Sequence, residues 1–343
     1  MPKADLVLEG GGVKGTALLG AVTEMVKRDD PYIVQRIAGT SAGAIVAGFL
    51  AAGLSVDRLK QIMLVEDFST FEDESALFKH FKKLGEGIGL IFHEGLFVGD
   101  TLHTFIAETL AEGGVHTWKD LVRPDPDLPA EQQYKLVVVV SDVSRGRELR
   151  LPWDYQTELG LDPNTQPVAD AIRASASIPF FFRPVHLQAS RAFSAGHGYV
   201  LGTDGGMLSN YPIDIFDRVN NPRWPTLGVK LSAKTQVSQA QWTQNANPIE
   251  LARSLLETLL NAQDALHIDD PYYADRTIFV DTSGYSATDF QLTNNQKNDL
   301  FDKGEAAAEK FLKTWDWAAW QAANPPRAPR PEFKAQGSQS DGS

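Results

Sequence analysis

The chain has 343 residues, of which 43% are hydrophobic and 22% are charged, and its formal net charge is −12. This composition argues against a mainly disordered chain, and the negative charge argues against a nucleic-acid binder or a protein held to anionic membranes by charge alone. The chain has no cysteine, which excludes disulfides, thiolate metal sites and a cysteine nucleophile.

The amino-terminal residues show no pattern of a targeting segment. No charged lead is followed by an apolar core, and no run of about 18 consecutive apolar residues occurs anywhere in the chain. We therefore expect a cytoplasmic protein without a transmembrane helix. Peripheral contact with a membrane surface and signal-independent export stay open.

The first part of the chain predicts an α/β protein with a parallel sheet, because apolar strands alternate with helices. The predicted elements are a strand at 5–9, a glycine loop at 10–15, a helix at about 16–28, a strand at about 33–38, a tight turn at 39–43 and a helix at about 42–53. Residues 56–100, rich in Phe, Lys and Gly, are interpreted as an insertion or lid.

The remaining elements extend the same fold. The continuous β-branched run at 134–143 predicts a strand that is buried on both faces. Further strands are predicted at 198–203, 225–231 and 276–282, and helices at about 100–112, 167–178, 248–266 and 294–315. We expect one domain over residues 1–323, followed by a disordered tail over 324–343, which is rich in Pro, Gly and Ser.

The glycine loop GGGVKG (10–15) fits the pattern G-x-G-x-x-G between a strand and a helix, which is typical of dinucleotide binding. That function requires an acidic residue at the end of the second strand, but this strand ends in Ala38, Gly39 and Thr40. A Walker loop requires Gly-Lys-Ser/Thr, whereas this loop continues Lys-Gly-Thr. A glycine turn needed only for packing is a further alternative.

The turn GTSAG (39–43) has the form G-x-S-x-G between a strand and a helix, which predicts a nucleophile elbow. Ser41 would expose its Oγ at a helix N-terminus, where negative charge is favoured. Gly39 and Gly43 would leave room for the strand and the helix that cross there. The N–H of Ala42, together with N–H groups of the glycine loop, could then stabilise an oxyanion.

A serine nucleophile needs a base, and Asp204 in GTDGG (202–206) is the best candidate. Gly205 and Gly206 would let the chain turn sharply there, although an ordinary Asp-Gly hairpin turn is the alternative. The only histidine after Asp204 is His267, at the end of a predicted amphipathic helix. This position favours a Ser–Asp dyad over a Ser-Asp-His triad.

Taken together, these motifs resemble those of the patatin-like phospholipases. The resemblance rests on GGGVKG, GTSAG, DGG followed by Asn210 and Pro212, and the stretch ASASIPFFFRPV (174–185), and it covers most of residues 5–315. Many members carry Arg where this chain has Lys14. The lysine keeps the charge but would lose a bidentate contact. Gly15, the last glycine of the loop, belongs to the same motif.

The resemblance implies a three-layer α/β/α sandwich with a mainly parallel central sheet. It implies hydrolysis of lipid acyl esters through an acyl-enzyme, without a metal or other cofactor, with Ser41 as nucleophile and Asp204 as base. The oxyanion hole would use N–H groups of Gly10, Gly11, Gly12 and Val13. Phospholipase A, lysophospholipase and carboxylesterase activities stay open, as do a dinucleotide-binding protein and a catalytically silent lipid-binding relative.

Residues 68–97 are the segment most suited to contact a lipid surface. Leu77, Phe78, Phe81 and Leu84 follow helical spacing with three lysines and a histidine between them, and the apolar residues that follow are interrupted by glycines. This pattern is typical of a mobile lid, but a core-covering helix or a dimer contact would have the same pattern. The oligomeric state is therefore left open.

Overall fold

The computed structural model describes residues 1–73, 97–219, 222–232, 270–287 and 289–335. The predictions for the helix at 248–266, for His267 and for most of the segment 68–97 lie outside these residues. None of the described helices has the length and apolar character needed to cross a bilayer.

Within the described ranges the chain forms eight strands and nine α-helices. The strands are β1 (Lys3–Leu8), β2 (Ile33–Thr40), β3 (Leu136–Asp142), β4 (Arg147–Leu151), β5 (Val185–Gln188), β6 (Tyr199–Asp204), β7 (Thr226–Lys230) and β8 (Thr277–Phe279). The helices are α1 (Gly15–Lys27), α2 (Ala42–Ala51), α3 (Val56–Val65), α4 (Asp100–Glu112), α5 (Val168–Ser175), α6 (Gly206–Ser209), α7 (Pro271–Ala274), α8 (Asn294–Leu312) and α9 (Trp317–Ala323).

All eight strands belong to one sheet in the order β5-β6-β3-β2-β1-β7-β8, with β4 paired to β3. The central pairs β3-β2, β2-β1, β1-β7 and β7-β8 are parallel. The pairs that β3 makes with β4 and β6, and that β6 makes with β5, are antiparallel. The prediction of an α/β fold with a mainly parallel central sheet is confirmed.

The two faces of the sheet carry separate hydrophobic cores, as the alternation of side chains along a strand requires. Leu6 and Leu8 of β1 belong to the core beneath α1, α2 and α8, whereas Val7 belongs to the core on the other face. That second face is covered by residues 211–216 and by the short helices α7 and α9. Helices α1 and α8 approach very closely, since a Cβ on Gly20 would lie 2.0 Å from the Phe301 carbonyl oxygen.

Two regions differ from the sequence predictions. Residues Val56–Val65, expected to start an insertion, form a regular helix whose buried residues join the main core. The segment 324–335, predicted as part of a disordered tail, is held by contacts: Arg330 pairs with Asp214, and the Ala335 N–H donates to the Gly146 carbonyl. Composition could not indicate this, because the partners are distant in the sequence.

Candidate active site

Ser41 lies in the sharp turn between β2 and α2, as the sequence predicts. Its backbone has φ 53° and ψ −123°, a strained conformation for a residue with a side chain. The flanking glycines are required by close contacts. A Cβ on Gly39 would lie 2.3 Å from the Gly43 carbonyl oxygen, and a Cβ on Gly43 would lie 2.3 Å from that of Leu8. The turn therefore has the geometry of a nucleophile elbow.

Asp204 reaches Ser41 because β2 and β6 end at neighbouring positions along β3. Thr40 pairs with Val139 and Asp204 pairs with Val140. The Ser41 Oγ donates to Asp204 Oδ2 at 2.7 Å. Both residues are 4% exposed. The tertiary structure thus brings together two residues that are 163 positions apart in the sequence.

The Asp204 carboxylate is oriented by the turn that follows it. Its Oδ1 accepts a hydrogen bond from the Gly206 N–H at 2.8 Å, and Gly205 is required because a Cβ there would lie 2.2 Å from the Val139 carbonyl oxygen. Burial raises the pKa of Asp204 to about 6, although the hydrogen bonds from Ser41 and Gly206 oppose this shift. A carboxylate with this pKa is a far better proton acceptor than an exposed aspartate.

The glycine loop lies directly against Ser41, since a Cβ on Gly10 would lie 3.1 Å from the Ser41 Cβ. Two of the predicted oxyanion donors are already occupied. The Gly10 N–H donates to the Asn210 carbonyl at 3.2 Å, and the Val13 N–H donates to the Ala287 carbonyl at 3.0 Å. In this structure the N–H groups of Gly10 and Val13 are therefore bonded to carbonyl groups of the chain itself.

Three predicted donors are left. The N–H groups of Gly11, Gly12 and Ala42 have no hydrogen-bond acceptor among the residues that the structure describes. Gly12 has φ +55°, and a Cβ there would lie 1.9 Å from the Ala287 carbonyl oxygen, so the loop requires glycine at this position. Free N–H groups beside a serine are suited to bind a developing negative charge.

The loop is anchored on both sides. The carboxylate of Glu9, buried at the end of β1, accepts hydrogen bonds from the Lys230 ammonium and the Leu231 N–H. At the other end of the loop, the Lys14 N–H donates to the Gly11 carbonyl at 3.2 Å. Gly15 lets the loop approach α2 closely, since a Cβ on Gly15 would lie 3.1 Å from the Ala42 Cβ. Glu9 is not among the predicted site residues, although an acidic residue between an apolar strand and a glycine loop is a usable signal.

Ser41 opens into an apolar cavity between α2, α3 and α4. Besides Gly12, Ser41 and Ala42, the cavity is lined by Val13, Ile45, Met63, Phe68, Phe71, Leu102, Phe105, Ala176, Ile178, Phe182 and Phe290. None of these additional side chains carries a charge or a hydrogen-bonding group. A cavity of this kind suits a hydrocarbon chain and disfavours a phosphate or a sugar. No local sequence pattern indicates that Phe290 contributes to the cavity.

The family model for patatin-like phospholipases matches residues 6–217, a range that includes the glycine loop, Ser41 and Asp204. The chain belongs to the patatin-like phospholipase family. Membership of this family supports a lipid hydrolase. The match also confirms the family that the motifs indicated.

The chain is also similar to individual proteins. The chain is 35% identical to the uncharacterized protein YqhO of Bacillus subtilis over 313 residues, which cover 91% of this chain and 99% of that protein. It is 25% identical to the uncharacterized protein R571 of Acanthamoeba polyphaga mimivirus over 315 residues, which cover 90% of this chain and 94% of that protein. The crystal structure of VipD from Legionella pneumophila has the same fold, with a TM-score of 0.50 and 17% identity over 91% of this chain and 67% of that one.

Proposed function

We propose that this chain is a serine acyl hydrolase of lipids, of the phospholipase A, lysophospholipase or carboxylesterase type. The observation that carries the proposal is the 2.7 Å hydrogen bond from Ser41 Oγ to Asp204 Oδ2, made at a strained turn that opens into an apolar cavity. The nucleophile, its base and the substrate cavity therefore meet at one point.

In the proposed acylation step, Ser41 Oγ attacks the ester carbonyl carbon while its proton passes to Asp204 Oδ2. The N–H groups of Gly11, Gly12 and Ala42 stabilise the resulting oxyanion. When the tetrahedral intermediate collapses, the bond to the leaving alcohol breaks, and Asp204 returns the proton to the alcohol oxygen. The products are an acyl-enzyme on Ser41 and a free alcohol.

Deacylation repeats these steps with water as the nucleophile. Asp204 accepts a proton from the water, which attacks the acyl carbon, and returns a proton to Ser41 Oγ as the ester bond breaks. The fatty acid is released. No proton acceptor other than Asp204 is needed, which is consistent with a dyad.

The apolar cavity supports an acyl chain as the part of the substrate that binds beside Ser41. We propose that the segment 68–97 helps the enzyme to contact a lipid surface, a role supported by its sequence pattern. The structure describes residues 68–73 and 97 of that segment. Among them, Phe68 and Phe71 line the cavity. The dinucleotide-binding alternative is less well supported, because the end of β2 carries Thr40, whose hydroxyl donates to the Ser209 carbonyl, and no acid.

The test compares the purified protein with Ser41→Ala and Asp204→Ala on p-nitrophenyl esters of several chain lengths and on a fluorescent phosphatidylcholine, with EDTA present. We expect turnover by the wild type and loss in both variants, and a fluorophosphonate should label the wild type but not Ser41→Ala. Undiminished turnover by Ser41→Ala would refute the proposal. Binding of phosphatidylcholine vesicles without turnover or labelling would favour the catalytically silent relative.

A further inference from the structure

Ser175, the last residue of α5, is completely buried and contacts the nucleophile turn. Its Oγ donates to the Val139 carbonyl at 2.6 Å and accepts a hydrogen bond from the Ser41 N–H at 2.8 Å. A hydroxyl has a single proton. Because that proton is directed at Val139, a lone pair of the oxygen is left to accept from the Ser41 N–H.

The hydrogen bond from the Ser41 N–H to Ser175 Oγ involves the most strained residue of the site. A non-glycine residue with φ 53° is strained and persists only when its surroundings hold it in place. The Ser175 hydroxyl accepts a hydrogen bond from the Ser41 amide nitrogen, and φ is the torsion about the bond between that nitrogen and Cα. Without it, the Ser41 N–H would be buried with no acceptor among the described residues, and the turn could relieve strain by rotating.

Ser175 also contacts the other half of the dyad. Its carbonyl accepts a hydrogen bond from the Gly205 N–H at 3.3 Å, in the turn that follows Asp204. One residue therefore binds the nucleophile turn, the base turn and β3, which lies between them. Relative movement of Ser41 and Asp204 would stretch at least one of these bonds.

We propose that Ser175 is a positioning residue, which holds the Ser41 turn in its strained conformation and in register with Asp204. The proposal rests on the proposed function for its effect on turnover, but its effect on the backbone of Ser41 can be measured separately. Nearby Ser177 has a different environment, because its hydroxyl is bonded to the carbonyl and guanidinium of Arg173.

The first experiment measures kcat and KM of Ser175→Ala and Ser175→Cys on a soluble p-nitrophenyl ester. Active sites are counted by the end point of fluorophosphonate labelling, so that loss of folded protein is not mistaken for loss of rate. We expect kcat per active site to fall by about 10²-fold in Ser175→Ala with KM little changed, since small displacements of a reacting group have effects of this size. The kcat per active site of Ser175→Cys should lie between those of the wild type and Ser175→Ala, because a cysteine sulfur is a weak acceptor.

The matched control is Thr277→Val. The Thr277 hydroxyl is also buried and also makes two bonds, to the Tyr273 carbonyl at 2.7 Å and to the Tyr211 hydroxyl at 2.8 Å, but it does not contact the dyad. A general effect of losing a buried hydroxyl would lower the melting temperature of both variants. Only a positioning role would lower kcat per active site in the Ser175 variants alone.

The second experiment measures hydrogen–deuterium exchange at the Ser41 amide. We expect exchange to accelerate at least tenfold in Ser175→Ala and to be unchanged in Thr277→Val. If the wild type hydrolyses no ester, the proposed function fails, yet faster exchange at Ser41 would still support the role of Ser175. Unchanged exchange at Ser41, or an unchanged kcat per active site in an active enzyme, would overturn the inference.

Discussion

Asp204 and Asp214 are both buried and lie ten residues apart, yet their surroundings differ in one respect. Asp204 accepts hydrogen bonds from Ser41 and Gly206 and forms no ion pair with any described residue. Asp214 is paired with Arg330, whose Nε lies 3.0 Å from its Oδ2 and whose backbone N–H donates to the same oxygen at 2.7 Å.

The two carboxyl groups consequently titrate differently. Burial raises the pKa of Asp204 to about 6. Burial acts in the same direction on Asp214, but the charge and the hydrogen bonds of Arg330 outweigh it and hold the pKa of Asp214 below its usual value. A buried aspartate with a cation is a structural anion, whereas one without a cation is a base near neutral pH.

The largest expected effect comes from the same substitution at these two positions. Asp204→Asn removes the proposed base, so kcat/KM should fall about 10³-fold or more. Its melting temperature at pH 8 should be unchanged or higher, because a buried unpaired charge is removed. Asp214→Asn should keep kcat/KM but lose about 1–3 kcal/mol of stability, because Arg330 loses its charged partner. Urea unfolding and ester hydrolysis of both variants check this prediction, and equal loss of activity in both would contradict it.

A second matched pair concerns two glycines with positive φ, Gly12 in the site and Gly53 outside it. An alanine Cβ at Gly12 would lie 1.9 Å from the Ala287 carbonyl oxygen, whereas nothing lies within 4 Å of a Cβ at Gly53. Gly12→Ala should therefore displace the proposed oxyanion donors and lower kcat by about 10²-fold.

Gly53→Ala introduces a similar backbone strain without the clash, and we expect it to lower the melting temperature but leave kcat unchanged. Steady-state kinetics and thermal unfolding of the two variants make the comparison. If Gly12→Ala retained full kcat, the loop would not be the oxyanion site.

The pH dependence provides a third test. Asp204 must be ionised to accept the Ser41 proton, so kcat/KM on a soluble ester should rise about tenfold per pH unit below pH 6 and level off above it. The stability contribution of Asp204 should change with pH in the opposite direction to the rate. Because the folded pKa of Asp204 lies above its unfolded value, its contribution to stability is present below pH 4 and is lost as the pH rises through 6.

Two measurements between pH 4.5 and 8.5 check these directions. The first is the rate with one ester, and the second is the melting temperature of the wild type and of Asp204→Asn. The stability advantage of Asp204→Asn should grow as the pH rises through 6. A flat rate profile would argue against Asp204 as the base.

The smallest expected effect concerns the apolar cavity beside Ser41. Phe105 lines it and contacts Phe71, with ring centroids 5.1 Å apart. Phe105→Ala should lengthen the cavity and shift the preference among p-nitrophenyl esters towards longer chains, by a few-fold per added pair of methylenes. Phe311→Ala is the control, because Phe311 is also half-buried and stacked, on Trp315, but lies outside the cavity. If both variants shifted the chain-length preference in the same way, the effect would not come from the cavity.

Local patterns in the sequence were sufficient to predict the elbow at Ser41, the glycine loop and the alternation of strands and helices. The reason is physical: sharp turns need particular residues at adjacent positions, and buried parallel strands need continuous apolar runs. The short strands β4 and β5 and the helix α3 lacked such a signal and were not predicted.

Which backbone groups are free in the site was decided only by tertiary structure. The carbonyls of Asn210 and Ala287 occupy the N–H groups of Gly10 and Val13, and no local pattern connects residues so far apart. The same holds for the bond of Ser175 to Ser41 and for the pKa of Asp204. Burial and hydrogen-bond partners belong to the packed chain, whereas the turn residues belong to the sequence itself.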